Sequence, residues 1–184
     1  AATYDRRGPA REVLKIADRP IPEPGPGEVR VKIAVSAVNP SDTKSRGTWL
    51  GATQMLFKLI TPHQDGSGVI DKVGEGVVSS RIGERVWVYM AQRGRPFGTA
   101  ADYTCVPSER AVLLPRAASF ADGACLGIPV MTAHYCLFRD GPVTGKTVLV
   151  QGGAGGVGFY GVQLAKWGGA RKVIATVSRD EQAA

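Results

Sequence analysis

The segment VLVQGGAGGVG, residues 148–158, constrains the fold of this chain more than any other. A short apolar strand runs into a glycine-rich turn, and the turn runs into a helix. Gly153, Gly155 and Gly158 spell G-x-G-x-x-G. Between a strand and a helix, that pattern builds the corner on which a dinucleotide's pyrophosphate rests. The first glycine is expected to allow the tight turn, the second to let backbone approach the phosphates, and the third to pack the helix closely. The helix N-terminus then offers N–H groups without intrahelical partners and a partial positive charge.

The flanking sequence fits one βαβ unit. Thr147–Gln151 is a continuous apolar run of the kind buried on both faces of a parallel sheet. Val157, Tyr160, Gly161, Leu164 and Ala165 share one helical face, and Gly168-Gly169 ends the helix. Lys172–Val177 is expected to be the second strand. From Thr147 to Val177 is 31 residues, against ~30 for a crossover unit.

The end of that second strand selects the dinucleotide. NAD-binding units usually carry an acidic residue ~20 positions beyond the glycines, bonded to the ribose hydroxyls. Val177, 19 positions beyond Gly158, cannot do this. Ser178 and Arg179 follow, and a hydroxyl beside a guanidinium suits a 2′-phosphate. The pattern therefore favours NADPH over NADH. Asp180 and Glu181 are the acidic alternative, but they also suit the first turn of a following helix.

The first two-thirds of the chain reads as β-rich. Val29, Val31, Ile33 and Val35 alternate with Arg30, Lys32 and Ala34, the period of a half-buried strand. Residues 68–74, 86–90, 101–106 and 112–114 read as further strands with Gly and Pro punctuation, which suggests a small barrel. Asn39-Pro-Ser-Asp42 looks like a turn opening a short helix. Near Ser119 the style changes: Ser119-Phe-Ala-Asp122 has the form of a capping box, with Asp in place of Glu. Helix-like sequence follows, interrupted at Pro129. The domain boundary is placed between Pro115 and Ser119, giving domains 1–117 and 118–184.

Composition excludes several classes. The chain has 184 residues, 43% apolar and 21% charged, which suits a globular protein with one domain plus part of another. No apolar run approaches the ~20 residues that span a bilayer, and Ala1–Arg7 has no apolar signal core, so a cytoplasmic location is expected. Net charge is +7, but Lys and Arg are scattered. No basic stripe points to nucleic acid; the charge suits long-range attraction of an anionic cofactor. Cys105, Cys125 and Cys136 form no C-x-x-C and are expected to be reduced, small, buried apolar residues.

A metal site lacks its ligands. A catalytic zinc takes three side chains, mostly Cys and His. The loop after the first long strand has Asn39 and Asp42 but no Cys. His63 and His134 are the two histidines, and neither is assigned a role. Three cysteines exclude a Cys₄ site. Without a Lewis acid, reduction of a conjugated acceptor is easier than oxidation of an alcohol, because the charge spreads onto the carbonyl oxygen.

Several motifs then stand in a familiar order: Pro24-Gly-Pro-Gly-Glu28, Val38-Asn-Pro-Ser-Asp42, Asp65-Gly-Ser-Gly-Val69, Val73-Gly-Glu-Gly76, Gly83-Glu-Arg-Val86, Gly98-Thr-Ala-Ala-Asp-Tyr103, Gly127-Ile-Pro-Val-Met-Thr-Ala133 and Gly152–Gly158. The chain resembles the medium-chain dehydrogenase/reductase superfamily, in its zinc-free NADPH:quinone oxidoreductase branch, which includes zeta-crystallin. The resemblance implies an α/β protein with a GroES-like N-terminal β-barrel followed by the first part of a Rossmann doubly wound parallel sheet. It implies NADPH as donor, a small quinone or enone as acceptor, and a homodimer for the full-length protein. It places Asn39 and Thr132 beside the nicotinamide and substrate. Ala154, Gly155, Gly156 and Val157 fall at the pyrophosphate, and Ser178 with Arg179 at the 2′-phosphate. In zinc-dependent relatives the Cys falls near Asn39 and the His at Gln64. Asp65 matches a position that is often acidic, where a structural and a functional role are both open. The branch often has Tyr where this chain has Trp49; an indole can pack on the ring but donates no phenolic proton. The resemblance stops after the second Rossmann strand. An NADPH-binding protein without turnover, and an inactive fragment, remain the alternatives to an enzyme.

Overall fold

The computed structural model describes residues 1–47 and 54–183; Trp49 lies outside them. The chain divides into two compact units, Ala1–Ile128 and Pro129–Ala184.

In the first unit, β1 (Ala2–Thr3), α1 (Ala10–Val13) and β2 (Lys15–Ile16) form a small antiparallel pair with its connecting turn of helix. Then come β3 (Glu28–Ala37), α2 (Pro40–Arg46), β4 (Asp65–Val73), β5 (Arg85–Val88), β6 (Tyr103–Pro107), β7 (Ala111–Leu113) and α3 (Phe120–Ala124). The five longer strands make one antiparallel sheet in the order β6-β3-β4-β5-β7. The alternation of the sequence sets the faces of β3. Val29 and Val31 point into a core with Ile70, Val86, Val88 and Val106, all fully buried. Each such valine contributes roughly 1.5–3 kcal/mol relative to exposure, so this face is the main source of stability in the unit. On the other face Arg30 grips Asp71 of β4 through two hydrogen bonds of 2.9 and 3.0 Å. The β3–β4 register shifts at Arg30/Val31 and again at Ile33/Val35. Irregularities of this kind bend a strand and increase its twist, which curls the sheet about its core.

Ser119 caps α3. Its hydroxyl accepts the Asp122 N–H at 3.1 Å, and its own N–H donates to Asp122 Oδ2 at 2.8 Å. The Ser119 hydroxyl and N–H together hold the Asp122 carboxyl below its usual range. So the box forms with Asp in the place of Glu. α3 then packs against β3, β4 and β5, with the Arg85 guanidinium 4.6 Å from the Phe120 ring. α3 lies on the sheet and belongs to the first compact unit.

The second unit is built on α4 (Gly127–Phe138), β8 (Thr147–Val150), α5 (Gly156–Trp167) and β9 (Lys172–Ala175), α4 beginning in the first unit. β8 and β9 are parallel, from Thr147↔Lys172 to Val150↔Ala175. The expected βαβ unit is present, with β9 two residues shorter than Lys172–Val177. Two further expectations change. Pro129 does not interrupt the helix; it lies in the first turn of α4, where its missing N–H is harmless. The apolar run of β8 is not buried on both faces, since Leu149 is 65% exposed. α5 covers only the other face, where Gly161 and Ala165 are buried. The cysteines also differ from expectation. Cys105 is buried on β6, but Cys125 ends α3 and Cys136 lies on the open side of α4, and both are exposed. Among the described residues no helix is long and apolar enough to cross a membrane.

Candidate functional site

The glycine corner begins one residue earlier than its pattern suggests. The tight turn out of β8 is made at Gly152, whose φ of +73° is left-handed, and not at Gly153. Gly153 is required by close approach instead: a Cβ there would lie 2.7 Å from Ala175 Cβ on β9. A Cβ on Gly158 would lie 2.1 Å from the Gly152 carbonyl oxygen, so the third glycine lets α5 start against the turn. Gly155 is the N-cap of α5, and its N–H donates to Gly152 O at 2.9 Å. A Cβ on Gly156 would meet nothing within 4 Å. The N–H groups of Gly156, Val157 and Gly158 belong to the first helical turn and have no carbonyl four residues back within the helix.

Thr176 bolts this corner to the second strand. Its Oγ1 accepts the Gly152 N–H at 3.0 Å. Its carbonyl accepts the Gly153 N–H at 2.8 Å, and its N–H donates to Val150 O at 3.0 Å. A hollow of about 490 Å³ lies over the corner, lined by Gly152, Ala154, Gly155, Val177, Ser178 and Gln182 among others. Ser178 donates both its N–H and its hydroxyl to Gln182 Oε1, at 3.3 and 3.2 Å. Arg179 follows with extended backbone, and Asp180 and Glu181 enter a short helical turn, Asp180–Gln182. Thr176 and Gln182 carry no signal in the sequence. Neither belongs to the glycine pattern, and their bonds form only once β9 lies beside β8.

In the first unit a second polar group surrounds Asn39. Asn39 is the N-cap of α2, with Pro40 after it, and is 6% exposed. Its N–H donates to Asp42 Oδ2 at 2.7 Å and its Nδ2 to Asp65 Oδ2 at 2.8 Å. Asp65, the first residue of β4, also accepts the Ile128 N–H at 2.6 Å. It is fully buried, and burial pushes its carboxyl up to about 6.

His63 precedes Asp65 by two residues and adopts a φ of +79°. Its Nδ1 lies 2.9 Å from Ser36 Oγ, which is 2.8 Å from Thr99 Oγ1. Thr99 donates its single hydroxyl proton to the Asp65 carbonyl at 2.6 Å. Ser36 must then donate to Thr99, and His63 Nδ1 must donate to Ser36. Burial lowers the affinity of His63 for a second proton, and in its neutral form the imidazole carries its proton on Nδ1. The other histidine, His134, lies on α4 with its ring centroid 4.9 Å from that of Phe138. Thr132 is exposed on α4, in the second unit, whereas Asn39 lies in the first. Among the described residues no three His, Cys, Asp or Glu side chains form a group that could hold a metal ion.

Comparison with known proteins places this geometry in a family. The alcohol dehydrogenase GroES-like domain family matches residues 25–116. A 2-methylene-furan-3-one reductase of Solanum lycopersicum is 37% identical over 173 residues, 91% of this chain and 44% of that protein. A quinone oxidoreductase of Rattus norvegicus is 36% identical over 175 residues, 92% of this chain and 50% of that protein. The chain thus spans about half the length of the curated relatives it matches. A mycobacterial protein solved in complex with NADPH superposes with a TM-score of 0.83 at 32% identity, over 100% of this chain and 54% of its own. The β-rich first unit is therefore the GroES-like domain, and the βαβ unit is the start of the parallel sheet. The chain belongs to the alcohol dehydrogenase GroES-like domain family, and it is similar to quinone oxidoreductases over about half of their length.

Proposed function

We propose that the whole protein is an oxidoreductase that uses NADPH to reduce a small quinone or conjugated enone without a metal. The observation that carries this reading is the hollow over the glycine corner, lined by Ala154 and Gly155 and bordered by Ser178. The residues fit the cofactor. The open side of the turn leaves room for a pyrophosphate, and the first-turn N–H groups of α5 supply donors and a positive dipole end to hold it. Ser178 and Arg179 hold the 2′-phosphate. For this the Ser178 hydroxyl turns away from Gln182, exchanging one hydrogen bond for a charge-assisted one.

When bound, the nicotinamide supplies the hydride. Residues 1–117 are the proposed catalytic domain and residues 118–184 part of the proposed NADP-binding domain. Asn39, Trp49 and Thr132 are the residues proposed to act on the nicotinamide and the acceptor. A conjugated acceptor spreads the incoming charge onto its own carbonyl oxygen, so a Lewis acid is not needed. Relatives named as reductases of quinones and of a furanone with a conjugated double bond support this substrate class. The test is NADPH consumption by the whole protein with a p-quinone and with a 2-alkenal. Turnover with either acceptor is the expected result. Tight NADPH binding with no turnover would replace the enzyme by a binding protein.

A further inference from the structure

The buried carboxylate of Asp65 has more contacts than a packing residue requires. One oxygen, Oδ2, takes the Nδ2 proton of Asn39 at 2.8 Å and the Ile128 N–H at 2.6 Å. The first bond reaches the cap of α2 and the second the first turn of α4. The other oxygen, Oδ1, is buried without a hydrogen-bond partner among the described residues. It faces Gly127 so closely that a Cβ there would lie 2.2 Å away. The carboxylate therefore has a single position. Its main chain is fixed as well, because Thr99 donates to its carbonyl oxygen and Ala37 pairs with it across β3–β4. A full charge with one orphaned oxygen is costly to bury.

We propose that Asp65 is a positioning residue, which sets the rotamer of the Asn39 amide by taking its Nδ2 proton and ties that amide to the start of α4. With Nδ2 committed inward, the amide cannot flip, so Asn39 presents one fixed pattern of donor and acceptor. This deepens the proposed function and rests on the reading that Asn39 adjoins the nicotinamide. The titratable groups around Asp65 are Asp42 on α2 and His63 in the preceding loop. Of these, Asp42 raises the Asp65 carboxyl further as a like charge, and burial raises the Asp42 carboxyl itself.

The test is run on the whole protein. Asp65→Asn removes the charge and can accept one or both N–H bonds through its amide oxygen. Gly127→Ala leaves every hydrogen-bonding group in place but displaces the carboxylate. The first readout is the Asn39 side-chain amide signal in a ¹⁵N–¹H spectrum. It is expected to shift with a midpoint near pH 6 in the wild type and to be static in Asp65→Asn. The second readout is turnover. Gly127→Ala, which moves the carboxylate acceptor away from Asn39, is expected to lose kcat by roughly ten- to a hundredfold, as a small misplacement at the reacting centre does, with KM for NADPH changed far less. Asp65→Asn, whose amide oxygen can still take the Asn39 proton, is expected to keep most of its kcat. An Asn39 signal that does not titrate, or a Gly127→Ala variant with wild-type kcat, would overturn the proposal. A wild type whose Asn39 signal titrates but which turns over no acceptor would overturn the proposed function and, with it, this role, while leaving the bond itself established.

Discussion

Gly156 and Gly158 stand two residues apart in one turn and do different work. A Cβ on Gly158 collides with the Gly152 carbonyl, whereas a Cβ on Gly156 meets open space. Gly158→Ala should therefore destabilise the second unit by about 1–3 kcal/mol, the usual range for overpacking, seen as a lower Tm. Gly156→Ala should keep its Tm and lose NADPH affinity, because its methyl group occupies phosphate space. Titration calorimetry beside a thermal melt separates the two; a Gly156→Ala that binds NADPH as tightly as wild type contradicts the cradle. At this scale the spacing of the glycines was legible, but their division of labour was not. Which glycine makes the turn depends on where β8 stops. The crowding at Gly153 depends on Ala175 of β9, a partner that lies far along the chain. The Asp65–Asn39 bond was hidden for the same reason: 26 residues separate its ends.

Elements followed local rules closely where those rules are local. The capping box at Ser119 is legible in four residues, and it forms. Ser119→Ala should cost about 1 kcal/mol, measured as a shift in denaturant midpoint, since α3 rests on the sheet and transmits its loss of order to it. The alternation of β3 was equally legible, because period two leaves no other face for Val29 and Val31. Pro129 departs from its expectation because the first turn of a helix tolerates what its interior does not, and the start of α4 is set by the tertiary contact with Asp65.

The pH dependence of the first unit belongs to this scale, since the Asp65 carboxylate joins three elements. Its folded-state pKa is raised to about 6, above the ordinary carboxylate value of ~3.9. The folded state thus holds the proton more tightly than the unfolded one. The stability that this proton gives is full below pH ~4 and is lost as pH rises through about 6. The loss amounts to roughly 3 kcal/mol, because each tenfold gain in proton affinity on folding is worth about 1.36 kcal/mol. Denaturation of wild type and Asp65→Asn across pH 4 to 7 should show the difference between them changing by about that amount; parallel curves would contradict it.

Across the whole chain, apolar surface and cofactor corner lie on the same small βαβ unit. Leu149, Val157, Ile174 and Val177 are 65, 40, 41 and 39% exposed. A groove of about 660 Å³ runs along β8, with Ala133 and Leu137 of α4 on its wall. Exposed apolar patches of this kind bind hydrophobic dyes and promote association. Residues 1–184 expressed by themselves should bind such a dye strongly, and the whole protein should not; equal dye binding would show that the face is open in both. The half-covered sheet explains why β8 reads as a doubly buried strand in sequence: its residues are those of a buried strand, and only α5 covers them here.

The central claim is that Gly153–Gly158 with Ser178 and Arg179 forms an NADPH site serving reduction of a conjugated acceptor. The most direct measurement is kcat/KM of the whole protein for NADPH and for NADH with one p-quinone, in wild type and in Arg179→Ala. A charge-assisted hydrogen bond to a phosphate is worth about 1.5–3 kcal/mol, or roughly ten- to a hundredfold. Wild type is predicted to favour NADPH by at least about that factor, and Arg179→Ala to lose the preference while keeping its rate with NADH. Equal use of both cofactors by the wild type, or an equal loss with both in the variant, would contradict the account.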